Sequence, residues 1–403
     1  MQHQIILSEA KKAAEAIRRD RQFLHRHAET GFELPQTLAY VKQRLEEMGY
    51  APVHCGKAGL VATAGTNHGK VLLLRADMDA LPIREESGVS FACQEGRMHA
   101  CGHDMHTAML LGAAAILKQH EQALQGTVKL MFQPAEETFE GSADMIQAGV
   151  LENPKPDAAM MIHVTAGLPL SAGTVIISAP GVSAPAADYF TVTVQGKGCH
   201  GSAPQNGIDP LTTACHILLA LQEIQARELA ASEEAVLTVG TFHAGNAENV
   251  IPDTAVMGGT IRTYDEDTRA YLKDRIRKIA GCVAEAFRAE ATVTFGTGCP
   301  SLLNNTDLSN RVTGYLQELL GPRGALSAAQ LNPGGKPSRG GGSEDFAYIS
   351  REVPSLMLAL AAGEPDKGFP YPQHHPMVRF DEEALPIGAA VFAYTALRFL
   401  DGK

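Results

Sequence analysis

At 403 residues, 45% apolar and 20% charged, the chain exceeds the size at which one hydrophobic core stops growing, so a folded protein of two domains is expected. A formal net charge of -11 without any Lys/Arg block argues against nucleic acid or an anionic membrane as partner, though one local Arg still suffices for an anionic small molecule. Seven scattered cysteines with no C-x-x-C pair indicate a reducing, cytoplasmic setting, the apolar run near the N-terminus is too short for a signal peptide, and the longest one (108–117) is about half of what crosses a bilayer.

Over residues 8–27, Ala13, Ala14, Ile17, Phe23 and Leu24 recur at helical spacing, with Ser8 placed to cap the first turn. After Glu29-Thr30-Gly31 a second helix is predicted over 35–48, with Leu38, Val41, Leu45 and Met48 on one face and a stop at Gly49. The period then changes. Residues 60–63 and 71–74 are short apolar runs flanked by glycines and read as strands, the second buried on both faces. A helix begun near Asp104 runs through Leu117, and 127–132 is the next buried strand, ending in Gln133-Pro134-Ala135-Glu136-Glu137. A helix over 142–148 precedes a strand over 158–162 that ends on His163. Asp77, Glu136, Glu137 and His163 therefore fall at strand C-termini, the rim where an open α/β sheet binds ligands.

From Asp188 the order becomes strand (189–194), helix (210–228), strand (236–242), strand (254–262), helix (265–287), strand (291–295). This β-α-β-β-α-β series is a ferredoxin-like unit that can close on its own, with the Pro/Ala-rich stretch 179–187 and the turn 296–300 as hinges. Afterwards come a helix (306–320), a glycine-rich loop (332–343), a strand (355–361), a loop carrying His374-His375-Pro376 and a last helix (382–400). The expected class is α/β: a catalytic domain (1–183 and 297–403) with a mostly parallel sheet flanked by helices, interrupted by a ferredoxin-like α+β lid or dimerisation domain (184–296).

The stretch 98–106 packs a thiol, three imidazoles and a carboxylate between two apolar segments. In an extended loop Cys101 and His103 point to the same side, and Gly102 lets the backbone bend around an ion. By itself the stretch fits half of a metal site or a polar loop around a buried, hydrogen-bonded Cys. A metal would need further ligands from elsewhere in the chain.

The blocks RADMDALP (75–82), HACGHDMH (99–106), QPAEE (133–137), GKGCHGS (196–202), NVIPD (249–253), GTIR (259–262), GSEDF (342–346) and HHP (374–376) stand in an order that resembles a known family. It comprises the metallo-amidohydrolases and metallopeptidases related to aminoacylase and glutamate carboxypeptidase, in the branch of hippurate hydrolase, N-acyl-amino-acid amidohydrolases and auxin-conjugate hydrolases. The resemblance implies that Cys101, His103, Glu137, His163 and His374 hold two divalent ions with the Cys101 thiolate between them. Thiolate, imidazole and carboxylate suit borderline ions, Zn or Mn foremost, with Co or Ni compatible. Glu136 is then the general base; in an extended segment it and Glu137 point apart, which separates the two jobs. Where di-zinc relatives carry His-x-Asp, this chain has Arg75-Ala76-Asp77, leaving Asp77 behind the ligands to orient one of them or to cap the sheet end.

His200 matches a histidine that hydrogen-bonds the oxyanion, in some relatives from the partner subunit, and Asn249 and Arg262 match residues that hold the substrate carboxylate. Gly198-Cys199-His200 in place of Gly-Gly-His, Gln205 in place of a common His, and Val164-Thr165-Ala166 without an early proline are departures that bear on substrate preference. His99, His106, His375 and Cys199 receive no role. The implied reaction is hydrolysis of the amide of an N-acyl amino acid to a carboxylate and a free amino acid. A dipeptidase or aminopeptidase on the same scaffold, which must recognise a free α-amino group, is the first alternative. A non-catalytic metal-binding or interaction protein is the second. A homodimer or higher homo-oligomer through an edge strand of the inserted domain is also expected.

Overall fold

The computed structural model describes residues 2–66, 68–331 and 342–402; most of the glycine-rich loop expected over 332–343 lies outside them. These residues divide into two compact units, the smaller being Ala184–Leu302 with Gly342 and Ser343, the larger the rest.

In the larger unit α1 spans Gln2–Arg26, so Ser8 lies inside the helix and does not cap it. The buried stripe Ile6, Ala10, Ile17, Leu24 explains the difference, since apolar burial extends a turn beyond the expected start. Helix α2 (Pro35–Glu47) begins on its proline, and the Glu29 carboxylate accepts from the backbone N–H groups of Gln36 and Thr37 (2.9 Å to the latter). Strands β1 (Val53–Cys55), β2 (Gly59–Gly65) and β3 (Lys70–Asp77) follow, then α3 (His103–Gln119), β4 (Gly126–Gln133), α4 (Gly141–Gln147), β5 (Ala158–Thr165), β6 (Val175–Ile177) and β7 (Gly181–Ala184). Strand β5 continues through His163, and β7 and the start of the next strand, at Ala186, form where a hinge was expected over 179–187.

The smaller unit holds β8 (Ala186–Gln195), β9 (Cys199–His200), α5 (Pro210–Glu223), β10 (Ala235–Ala244), β11 (Val250–Ile251), β12 (Thr254–Thr263), α6 (Glu266–Ala286) and β13 (Glu290–Cys299). Its four-stranded antiparallel sheet, in the order β10-β12-β8-β13, is the ferredoxin-like arrangement, and its core is formed by Phe190, Val192, Ile217, Leu221, Ile261 and Ile276 among others. The chain leaves this unit after Leu302, beyond the expected boundary at 296. The reason is that β13 resumes pairing with β8 after a bulge between Phe295 and Gly298, so the predicted turn at 296–300 is mostly strand.

The chain then adds β14 (Leu302–Asn304), paired with β7, then α7 (Thr306–Leu320), β15 (Ala325–Ser327), α8 (Ala328–Leu331), α9 (Ala347–Glu352), β16 (Ser355–Ala361) and α10 (Leu385–Leu400). The large sheet runs β1-β2-β4-β3-β5-β16-β6-β15, and its centre, β4-β3-β5-β16, is parallel. Helices α1, α3 and α10 pack on one another, and Gly112 of α3 permits the approach: an added Cβ would sit 2.6 Å from Ile17 Cδ1. The segment Glu382–Leu400 is long and apolar enough to cross a membrane by length and composition, yet here it is mostly buried as a core helix. All four central strands point their carboxyl ends to one rim, and the chemistry gathers there.

Candidate metal centre

Asp77 closes β3, Gln133 closes β4, His163 lies near the end of β5, and the loop after β16 carries His374. Between Cys101 and His103, Gly102 adopts φ +96°, a left-handed conformation, and a Cβ there would meet Val164 Cγ2 at 2.3 Å. This turn, with His103 as the first residue of α3, brings thiol and imidazole together; the segment is not the extended loop expected from spacing.

The donor atoms of Cys101, His103 and His163 lie within 4.8 Å of one another, as do those of Cys101, Glu137 and His374, so Cys101 is common to two three-donor groups. Each imidazole in the first group is aimed by its other nitrogen. His103 Nδ1 bonds the Asp79 carbonyl (2.8 Å) and His163 Nδ1 bonds the Val164 carbonyl (2.7 Å), so both donate from Nδ1 and leave an Nε2 lone pair inward. His374, at φ +66°, donates its backbone N–H to Ala100 (2.9 Å) and brings Nε2 to 3.7 Å from Glu137 Oε1. His103 Nε2 and Glu137 Oε1 are buried without a hydrogen-bond partner among the described residues. Buried polar atoms are normally satisfied, and a thiolate–imidazole–carboxylate set shared between two groups fits a pair of divalent cations.

Burial pushes the Cys101 thiol well up, and it pushes Glu137 up to about 7, with Asp79 and Asp77 adding to the rise and His103 opposing it. Burial also drives His163 down to about 3, with His106 assisting. All three shifts favour the uncharged form, and a bound cation reverses the balance for thiol and carboxylate.

Glu136 and Glu137 lie in a turn opened by Ala135 at φ +53°, which replaces the expected extended segment. Both carboxylates therefore reach the same imidazole, each 3.8 Å from His103 Nε2. Asp79 holds the turn, its two oxygens accepting from the N–H groups of Glu136 (3.0 Å) and Glu137 (3.2 Å). Burial raises the pKa of Glu136 well above the ordinary carboxylate value, with Glu344 and Glu137 adding to it. Asp77 is fully buried between His106 Nδ1 (2.6 Å) and Arg75 Nη1 (2.6 Å). The imidazole it orients is thus that of His106, whose Nε2 is occupied by the Val164 N–H (2.8 Å), and not that of an expected ligand. Asp77 Oδ2 still faces His103 Nε2 at 3.7 Å.

In the smaller unit, exposed His200 accepts at Nδ1 from the Ser202 N–H (3.1 Å), which leaves its proton on Nε2. It pairs with Val250 across β9 and β11, and the Asn249 carbonyl accepts from Gly201 N–H (2.7 Å), so His200 and Asn249 are neighbours. Arg262 lies on β12, with Nη1 3.2 Å from Ser343 Oγ and its guanidinium 5.9 Å from the Tyr189 ring.

The model of peptidase family M20/M25/M40 matches residues 73–398, most of the chain and every one of these positions in the larger unit. The chain belongs to peptidase family M20/M25/M40. Among its M20 relatives, N-acetyl-L-cysteine deacetylase of Bacillus subtilis is 37% identical over 404 residues, covering 98% of this chain and 90% of that one. IAA-amino acid hydrolase ILR1-like 2 of Arabidopsis thaliana is 36% identical over 393 residues, covering 95% and 85%. The crystal structure of the YXEP protein of Bacillus subtilis, described as a dinuclear metal binding peptidase from the M20 family, superposes with a TM-score of 0.78 at 31% identity, covering 97% and 99%.

Sequence reasoning gives this M20 chain's Asp79, His106 and Arg75 no part in the site. Asp79 and Arg75 stand inside RADMDALP and His106 closes HACGHDMH, so the available signal was their presence in chemistry-bearing blocks. What each touches depends on loops that arrive from far along the chain.

Proposed function

We propose that this protein is a metal-dependent amidohydrolase that cleaves N-acyl amino acids, with N-acetyl, N-benzoyl or similar acyl groups, to a carboxylate and a free amino acid. The observation that carries the reading is two donor groups sharing Cys101, with the buried carboxylate of Glu136 beside them and outside both. The relatives named for N-acetyl-L-cysteine deacetylation and for hydrolysis of IAA-amino acids support the substrate class.

Cys101, His103, Glu137, His163 and His374 would hold two divalent ions, Zn or Mn foremost, which when bound would supply Lewis acidity towards the substrate carbonyl and lower the pKa of water towards neutrality. Glu136, whose Oε2 faces His103 Nε2 at 3.8 Å, takes a proton from the attacking water and returns it to the leaving nitrogen. His200 offers its Nε2–H to the oxyanion, in its own subunit or a partner's, while Asn249 and Arg262 take the substrate carboxylate. The inserted unit serves as lid and as the surface for a homodimer or higher homo-oligomer. Cys55, Cys93, Cys199, Cys215 and Cys282 carry free thiols, which supports a cytoplasmic location.

Glu136→Gln is expected to keep its metal content and lose most turnover on N-acetyl or N-benzoyl amino acids. A variant with near wild-type rate refutes the assignment, and preference for unblocked dipeptides over acylated amino acids replaces the reading by a peptidase.

A further inference from the structure

Arg75 is among the largest fully buried side chains and uses its whole fork. Nε donates to Gln133 Oε1 (2.9 Å), Nη1 to Asp77 Oδ2 (2.6 Å), and Nη2 to Asp345 Oδ1 (2.8 Å), with Glu344 Oε1 at 2.9 Å from the same nitrogen. One guanidinium thus ties the ends of β3 and β4 to the segment Glu344-Asp345, more than two hundred residues further along the chain. Asp345 is gripped by two more groups: both its oxygens accept from Gln133 Nε2 (2.7 and 2.9 Å), and Oδ2 accepts from the Ser142 N–H in the first turn of α4 (2.9 Å). Its own backbone N–H reaches Glu136 Oε1 (3.4 Å), while Glu136 Oε2 faces His103 Nε2 at 3.8 Å. One oxygen of the base is therefore held from behind and the other is turned to the donors.

We propose that Arg75 is a positioning residue for the base, acting through Asp345 to fix the plane of the Glu136 carboxylate without touching substrate. This rests on the amidohydrolase reading of the same site. A buried cation with several carboxylates is an expensive way to obtain stability, since apolar side chains of similar volume serve as well or better. An apolar replacement, however, has no means of orienting the Asp345 backbone against a carboxylate. A planar, multidentate fork does, and lysine does not reproduce it.

The test compares Arg75→Lys, Asp345→Asn and Glu136→Gln as metal-loaded holoenzymes on one N-acetyl amino acid, with kcat, KM, bound metal by elemental analysis and melting temperature read for each. For the first two, kcat should fall on the order of ten- to a hundredfold, as for a small misplacement of a reacting group, with KM, metal content and melting temperature near wild type. Wild-type kcat in Arg75→Lys overturns the proposal, as does a loss of kcat that follows loss of metal or of thermal stability, which a merely structural ion pair would give. If Arg75→Lys does not fold, Asp345→Asn decides by the same outcomes. The two readings separate on the third variant and the wild type. Activity retained by Glu136→Gln sinks the role of Glu136 as base, and a wild type inactive on every acylated amino acid tried sinks the amidohydrolase reading, whereas an inactive Glu136→Gln beside fully active Arg75→Lys and Asp345→Asn sinks the positioning role alone.

Discussion

Replacing Gly102 by alanine strains the centre at its tightest point. The residue sits at φ +96°, where a Cβ costs about 1–2 kcal/mol, and the added methyl would lie 2.3 Å from Val164 Cγ2 and 3.1 Å from Phe380 Cζ. Both neighbours are buried, so the methyl must displace packed atoms at a further cost of about 1–3 kcal/mol. The sum is about 2–5 kcal/mol, a large part of a domain's stability. The displacement also has a chemical consequence. The Val164 carbonyl orients His163 and its N–H orients His106, so pushing this residue misaims one donor directly and disturbs the Asp77 network behind another. Urea unfolding of the metal-loaded protein should show the lowered stability, and elemental analysis should show fewer than two ions per chain. A Gly102→Ala protein that unfolds at the wild-type urea concentration with both ions bound refutes the reasoning.

Asp79→Ala removes the acceptor of two buried N–H groups, at about 1–3 kcal/mol, and is expected to lower metal content and kcat together; unchanged metal binding would show that the 136–137 turn holds itself. Stripping divalent ions with a chelator should abolish turnover and lower the melting temperature, with Zn or Mn restoring both; full activity in protein shown by elemental analysis to be metal-free contradicts the di-metal reading. Burial opposes a charge on His25, but Asp104 (2.9 Å) and Glu85 (3.0 Å) outweigh it and raise its pKa above 6.5. The folded state then keeps a proton that the unfolded chain releases, so this contribution is complete below pH 6.5 and is lost as pH rises through the raised value. His25→Gln should flatten the decline of stability that sets in as pH rises above 6.5, and parallel denaturation profiles for variant and wild type would exclude the effect.

Local chemistry determined a good deal by itself. The 3.6-residue period of α2, the helix of α7 and the unbroken apolar run Val71–Leu74 of β3 need only neighbours a few residues away, so they read directly from the chain. The resemblance carried by the order of the blocks implied the five donors and Glu136, and their thiolate, imidazole and carboxylate groups agree with what such metals take. Where those side chains point was decided only in three dimensions. Ala135 turns left-handed and swings Glu136 and Glu137 onto one imidazole, and β13 runs past its predicted end because β8 continues to pair with it. Asp79, His106 and Arg75 acquire their parts from Glu136, Val164 and Asp345, groups between 57 and 270 residues away. Periodicity reports which face of an element is buried, and it carries no information on which distant loop closes over that face; at this rim, closure sets the hydrogen bond on the far nitrogen of each imidazole, and with it the direction of every donor.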